Sequence, residues 1–92
     1  MENKKMQAVV SVVGKDMVGI LAKVSTVCAE RQANVVDVTQ AVLDGYFCMV
    51  MVIEIDKLTC ELFELQEELR EKVSGMVIHV MHEDIFNSMH RI

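Results

Sequence analysis

The stretch VVDVTQAVLDGYFCMVMVIEI, residues 35–55, decides the fold. Two runs rich in β-branched and apolar side chains, 35–43 and 46–55, flank the dipeptide Asp44-Gly45. Asp-Gly accepts the positive φ angles that a two-residue hairpin turn requires. The spacing therefore predicts two antiparallel strands joined by a tight turn. Asn34 ends the turn that precedes them.

Working outward from this hairpin, residues 6–13 (MQAVVSVV) read as a further strand ending at Gly14. Asp16 can cap a helix over Val18 to Arg31, where Ile20, Leu21, Val24, Val27 and Cys28 recur at helical spacing. On the far side, Asp56 or Thr59 can cap a second helix. Its apolar stripe is Leu58, Leu62, Leu65, Leu69 and Val73, and Gly75 stands where a C-terminal glycine is expected. Residues 76–82 (MVIHVMH) form a fourth strand. The tail, 83–92, places Ile85, Met89 and Ile92 on one face of a short helix.

The order is β-α-β-β-α-β. Its standard solution is an α+β, ferredoxin-like sandwich: one four-stranded antiparallel sheet with two helices on one face. A short helical tail follows. Residues 1–92 read as a single domain, with 83–92 as its tail.

Both faces of this sheet are apolar. Phe47, Met49, Met51 and Ile53 alternate with Cys48, Val50 and Val52 on the third strand. Val9 and Val13 oppose Ala8, Val10 and Val12 on the first, and Val77 and Met81 oppose Met76, Ile78 and Val80 on the fourth. A sheet with one wet face should alternate apolar and polar residues. The second face therefore calls for a cover, and a homodimer assisted by the tail is expected.

Composition narrows the function. The net charge is −5 and Lys4-Lys5 is the only adjacent basic pair, so no basic stripe exists for nucleic acid or an anionic membrane. The longest apolar run, Tyr46 to Ile53, is far short of the ~20 residues of a membrane span. Lys4 and Lys5 precede an apolar stretch as in a signal peptide, but Lys15 and Asp16 close it early and no cleavage site follows. Three cysteines at wide spacing, Cys28, Cys48 and Cys60, suggest reduced thiols and a cytoplasmic location.

The segment Gly14-Lys15-Asp16-Met17-Val18-Gly19-Ile20 is the candidate site. Unpaired amides at a helix N-terminus favour an anion. Gly19 lets a ligand approach the backbone, or lets helix and strand pack closely. Asp16 could hold an ammonium group. Together they suit a zwitterion such as an amino acid.

The element order, the G-K-D-x-x-G-I stretch at 14–20 and A-N-V-V-D-V-T-Q at 33–40 together resemble the ACT domain, a ligand-sensing module of amino-acid metabolism. The tail His82-Glu83-Asp84-Ile85-Phe86 with Met89-His90-Arg91-Ile92 is similar to the ending of stand-alone single-ACT proteins. The chain also resembles the ACT halves of glycine-cleavage repressor-like regulators. The resemblance implies a ligand site between two domains. Asp16, Val18, Gly19, Ile20 and Leu21 would come from one chain, and Asn34, Val35 and Asp37 from the next, with Gln40 nearby. It further implies signalling to a partner enzyme or regulator. The family loop usually reads Asp-Arg-Pro-Gly, where this chain has Asp16-Met17-Val18-Gly19. The family helix commonly ends in Leu-Gly, where this chain has Arg31-Gln32-Ala33, so Gln32 takes a left-handed conformation or the turn differs.

Other chemistries fit less well. Gly14 and Gly19 have phosphate-loop spacing, but Ile20-Leu21 stand where Lys-Ser/Thr is needed. An acylphosphatase needs an arginine in this loop, and residues 6–30 contain none. His79 and His82 lie three apart on a strand and so face opposite ways, and His82, Glu83 and Asp84 read as a solvated strand end. No catalytic constellation, metal site or cofactor is expected. The leading reading is a regulatory module that binds an amino acid at a homodimer interface. The rival is a ligand-free interaction or assembly module docking through the apolar sheet face.

Overall fold

The computed structural model describes residues 6–15 and 18–89. Its elements are β1 (Gln7–Lys15), α1 (Ile20–Glu30), β2 (Asn34–Leu43), β3 (Tyr46–Glu54), α2 (Leu62–Lys72), β4 (Met76–His82) and α3 (Glu83–Met89). The four strands form one antiparallel sheet in the order β2-β3-β1-β4. This is the ferredoxin-like arrangement expected from the sequence. Asp44 (φ 52) and Gly45 (φ 85) make the hairpin turn between Leu43 and Tyr46.

Period-two alternation sends Ala8, Val10, Val12, Met49, Met51, Ile53 and Ile78 to one face of the sheet. There they pack on Ile20, Val24, Val27 and Cys28 of α1 and on Leu65 and Leu69 of α2. Leu58 and Leu62 pack at the margin of this core.

Several boundaries differ from the sequence reading. β1 continues through Gly14 to Lys15, because Gly14 pairs with both Phe47 and Met76. A β-carbon at Gly14 would collide with Met76 Sδ, so that glycine permits close strand packing rather than ending the strand. α1 begins at Ile20, not Val18, and its N-cap is Gly19, at φ 84. The expected cap, Asp16, lies outside the described residues, as does Ile92.

α2 is capped by Glu61, not by Asp56 or Thr59. Glu61 and Glu64 form a reciprocal capping box in which Glu64 Oε1 accepts the Glu61 N–H at 2.9 Å. Asp56 and Thr59 serve as ties instead. Asp56 Oδ1 accepts the Met6 N–H at 2.9 Å, and the Thr59 hydroxyl donates to the Arg31 carbonyl at 3.3 Å. Gly75 (φ 86) sits two residues past the C-cap Val73, in the turn entering β4.

The other sheet face carries rows set by register. One row is Asp37, Val52, Val9 and Met81; the next is Thr39, Val50, Ser11 and His79; the third is Ala41, Cys48, Val13 and Val77. Val9 is only 3% exposed although it stands outside the main core cluster. α3 packs on β1 and β4 and accounts for that cover. The tail thus shields one end of this face. Val13, Val50 and Val77 remain 43%, 37% and 60% exposed.

The two sheet edges are unlike. On β4, Gln66 Oε1 accepts the Val80 N–H at 2.9 Å and Arg70 Nε donates to the Ile78 carbonyl at 2.9 Å. Side chains of α2 therefore occupy outward-facing backbone groups of that edge, which blocks strand addition. On β2 the one such described bond is local, from the Val38 N–H to Asp37 Oδ1 at 2.9 Å.

Candidate functional site

The first half of the site is the start of α1. Gly19 adopts a left-handed conformation that side chains other than Asn or Asp resist, which ends the loop and starts the helix. Among the described residues nothing lies within 4 Å of where its β-carbon would be. Close helix–strand packing is therefore not what this glycine provides. Among the described residues no side chain caps the helix start, and no acidic residue occupies the first turn. The first helical bond runs from Lys23 N–H to the Gly19 carbonyl at 3.0 Å. The amides of Ile20, Leu21 and Ala22 thus point out along the helix axis, where the helix dipole favours negative charge. The Ile20 side chain is buried in the core and only its backbone faces the site, whereas Val18 and Leu21 are exposed.

The second half is the start of β2. Asn34 is exposed, and its Nδ2 donates to Glu54 Oε1 across the β2–β3 ladder at 3.3 Å. A β-bulge between Val35 and Asp37 shifts the register. Beyond it, Asp37 opposes Val52 on the face away from the helices, while Gln40 opposes Met49 on the helix side. Val35 is half-buried and packs against the core. Asn34 and Asp37 therefore share a face that Val35 and Gln40 do not.

The structure does not bring the two halves together within one chain. α1 lies between them, and its 11 residues span about 16 Å at about 1.5 Å per residue. Gly19 is at its N-terminal end and Asn34 follows its C-terminal end.

Beside Asn34 lies a groove of about 280 Å³ lined by Ala29, Gln32, Ala33, Asn34 and Lys57. Gln32, at φ 63, breaks the chain out of α1 in the left-handed conformation and forms part of the groove wall. Lys57 comes from the β3–α2 connection. Sequence reasoning missed Lys57, because a lone lysine in a loop gives no signal of which helix end it will reach.

The described residues offer little for covalent or metal chemistry. Burial pushes the Cys28 thiol up to about 11 and raises that of Cys60, so both stay protonated near neutrality. Among the described residues no three or more His, Cys, Asp or Glu side chains group closely enough to hold a metal ion. His82 Nδ1 accepts the Asp84 N–H at 3.1 Å, and His79 points to the opposite face of β4. No described helix is long and apolar enough to cross a membrane.

The ACT domain family model matches residues 6–83. A UPF0237 protein of Listeria monocytogenes serotype 4b is 46% identical over 89 residues, covering 95% of this chain and all of that protein. Among solved structures, an ACT domain protein from Streptococcus pneumoniae superposes with a TM-score of 0.75 at 34% identity, covering 95% of this chain and 100% of that one. The ACT domain of the GTP pyrophosphokinase of Chlorobium tepidum shares the fold, with a TM-score of 0.63 at 24% identity over 85% of this chain and 100% of that one. On a family match over most of its length and on relatives of its own size, the chain belongs to the ACT domain family, whose members are ligand-binding regulatory modules.

Proposed function

We propose that this chain is a regulatory module that binds an amino acid between two copies of itself and relays occupancy to a partner protein. The observation that carries this reading is the separation of Gly19 and Asn34 by the length of α1. One chain holds half a site at each end of a helix, so a complete site needs two chains. The unlike sheet edges suggest how they meet. With β4 blocked by Gln66 and Arg70, β2 is the edge that can pair. An antiparallel β2–β2 pair about a two-fold axis is isologous. It sets the Asn34 end of one strand beside the Leu43 end of the other. That is the end of the sheet where the other copy's α1 starts.

The chemistry suits a zwitterion. The α1 amides accept a carboxylate. The partner copy's Asn34, at the end of its strand, offers an amide oxygen to an ammonium group, whereas Asp37 lies on the sheet face away from the helices. Occupancy would favour whichever dimer arrangement it fits better, through differential affinity alone.

Thermal unfolding against a panel of the common amino acids at millimolar concentration tests the reading. A ligand at 100 times its dissociation constant adds about 2.7 kcal/mol, enough to raise the midpoint of so small a domain by roughly 10 °C. Asn34→Ala should abolish the shift while the dimer mass survives. A flat panel would contradict the proposal. It would favour the second reading, a ligand-free docking module, for which the exposed Val13, Val50 and Val77 on one sheet face speak.

A further inference from the structure

We infer that Lys57 makes the site selective for amino acids with a second, anionic end, the acidic amino acids. This deepens the preceding proposal and rests on it. The groove beside Asn34 holds one cation, Lys57, between two amide-bearing residues, Gln32 and Asn34. The chain as a whole carries net charge −5, yet the one charged residue lining this groove is Lys57, with the Glu54 carboxylate engaged by Asn34 Nδ2 at 3.3 Å.

Of the six described lysine and arginine side chains, three are ion-paired, Lys15 lies over a ring, and Lys23 and Lys57 have no carboxylate partner; Lys23 stands on the exposed side of α1, whereas Lys57 lines the groove. Arg31 bonds Glu68 at 2.6 Å, Lys72 lies 3.7 Å from the same carboxylate, and Arg70 bonds Glu67 at 3.2 Å. Lys15 sits over the Tyr46 ring, 5.3 Å from its centroid. Lys57 has no carboxylate within ion-pair distance among the described residues, although Asp56 precedes it, because Asp56 is turned to the Met6 amide. Gln32 adds a second sign of a built wall. It holds a left-handed φ of 63 that a glycine would hold without strain, and such strain gathers at binding sites.

The roles then separate. In the two-chain site the α1 amides of one copy hold the α-carboxylate, and the Asn34 amide oxygen of the other faces the ammonium. That leaves Lys57, which lines the same groove as Asn34, for the ligand's far end. A side-chain carboxylate there gains a charge-assisted hydrogen bond that an amide or an apolar side chain does not. Gln32 can donate to the same group.

Titrating the dimer with L-glutamate, L-aspartate, L-glutamine and L-asparagine tests this directly. The acids should bind about tenfold more tightly than their amides, the factor that one hydrogen bond to a charged group supplies. Lys57→Met should erase that preference while leaving the unliganded unfolding midpoint unchanged, since Lys57 has no described ion pair to lose. Raising the salt from 0.15 to 1 M should narrow the preference in the wild type. Amides binding as well as acids would overturn the inference and leave the amino-acid site standing, as would a preference that survives Lys57→Met. Failure of every common amino acid to bind would remove the site itself.

Discussion

Gln66 accepts the backbone N–H of Val80 through its side-chain oxygen at 2.9 Å, so a helix residue occupies a group that an edge strand would otherwise present to another chain. With Arg70 on the neighbouring Ile78 carbonyl, it closes the β4 edge. Gln66→Leu leaves the half-buried Val80 amide without its partner and should cost about 1–2 kcal/mol in urea unfolding. It should also open a second edge. Sedimentation should then show association beyond the wild-type state as concentration rises. An unchanged midpoint with unchanged mass would mean that β4 is protected by something other than α2.

Two glycines fail for different reasons when substituted. At Gly14 a β-carbon meets Met76 Sδ and comes to 3.0 Å of the Gly75 carbonyl. Gly14→Ala should cost about 1–3 kcal/mol, and Met76→Ala in the same chain should recover part of it. At Gly19 no described atom lies within 4 Å of that position, but φ is 84. Gly19→Ala should cost about 1 kcal/mol through the backbone alone, and Gly19→Asn less, because Asn tolerates the left-handed region. Chemical denaturation of the four variants checks the pattern. Rescue of Gly19→Ala by a neighbouring truncation would refute it.

Cys28 sets an alkaline limit on stability. Its thiol is raised to about 11 by burial, from an unperturbed 9.0. Between those values the unfolded chain ionises at this position and the native chain does not. The contribution is therefore fully present below pH 9 and is lost as pH rises through 11, by at most about 3 kcal/mol. Cys28→Ala lowers stability at all pH values through the lost packing. Its urea midpoint should nevertheless fall less steeply than the wild type's between pH 8.5 and 10.5. Parallel slopes would place the alkaline loss elsewhere.

The strands and helices were legible because their periodicity is strong and local. Asp44-Gly45 announced its turn, and Arg31-Gln32-Ala33 announced that Gln32 would have to turn left-handed if the family geometry held, as it does at φ 63. Caps were less legible. Asp56 and Thr59 are good cap residues by type, yet tertiary partners claimed them, and Glu61 capped α2 because Glu64 could reciprocate. The covering of Val9 by α3 and the closing of β4 by Gln66 join segments far apart in the chain, so no local pattern encodes them. Of the expected site residues, Gly19 stands at the start of α1 and Asn34 beyond its end, while Asp16 lies outside the described residues. Lys57 was illegible for the same long-range reason as Gln66.

The two-chain site is tested most directly by complementation. Gly19→Val impairs the half at the start of α1, and Asn34→Ala impairs the half at the start of β2. Each variant alone should be a dimer that shows no thermal response to the amino acid that best stabilises the wild type. Mixed in equal amounts and allowed to exchange, half of the dimers are mixed, and each of these rebuilds one intact site. Titration should then recover about a quarter of the wild-type binding capacity at wild-type affinity. A mixture that stays silent after demonstrated subunit exchange, or either variant binding alone like the wild type, would contradict a site shared between two chains.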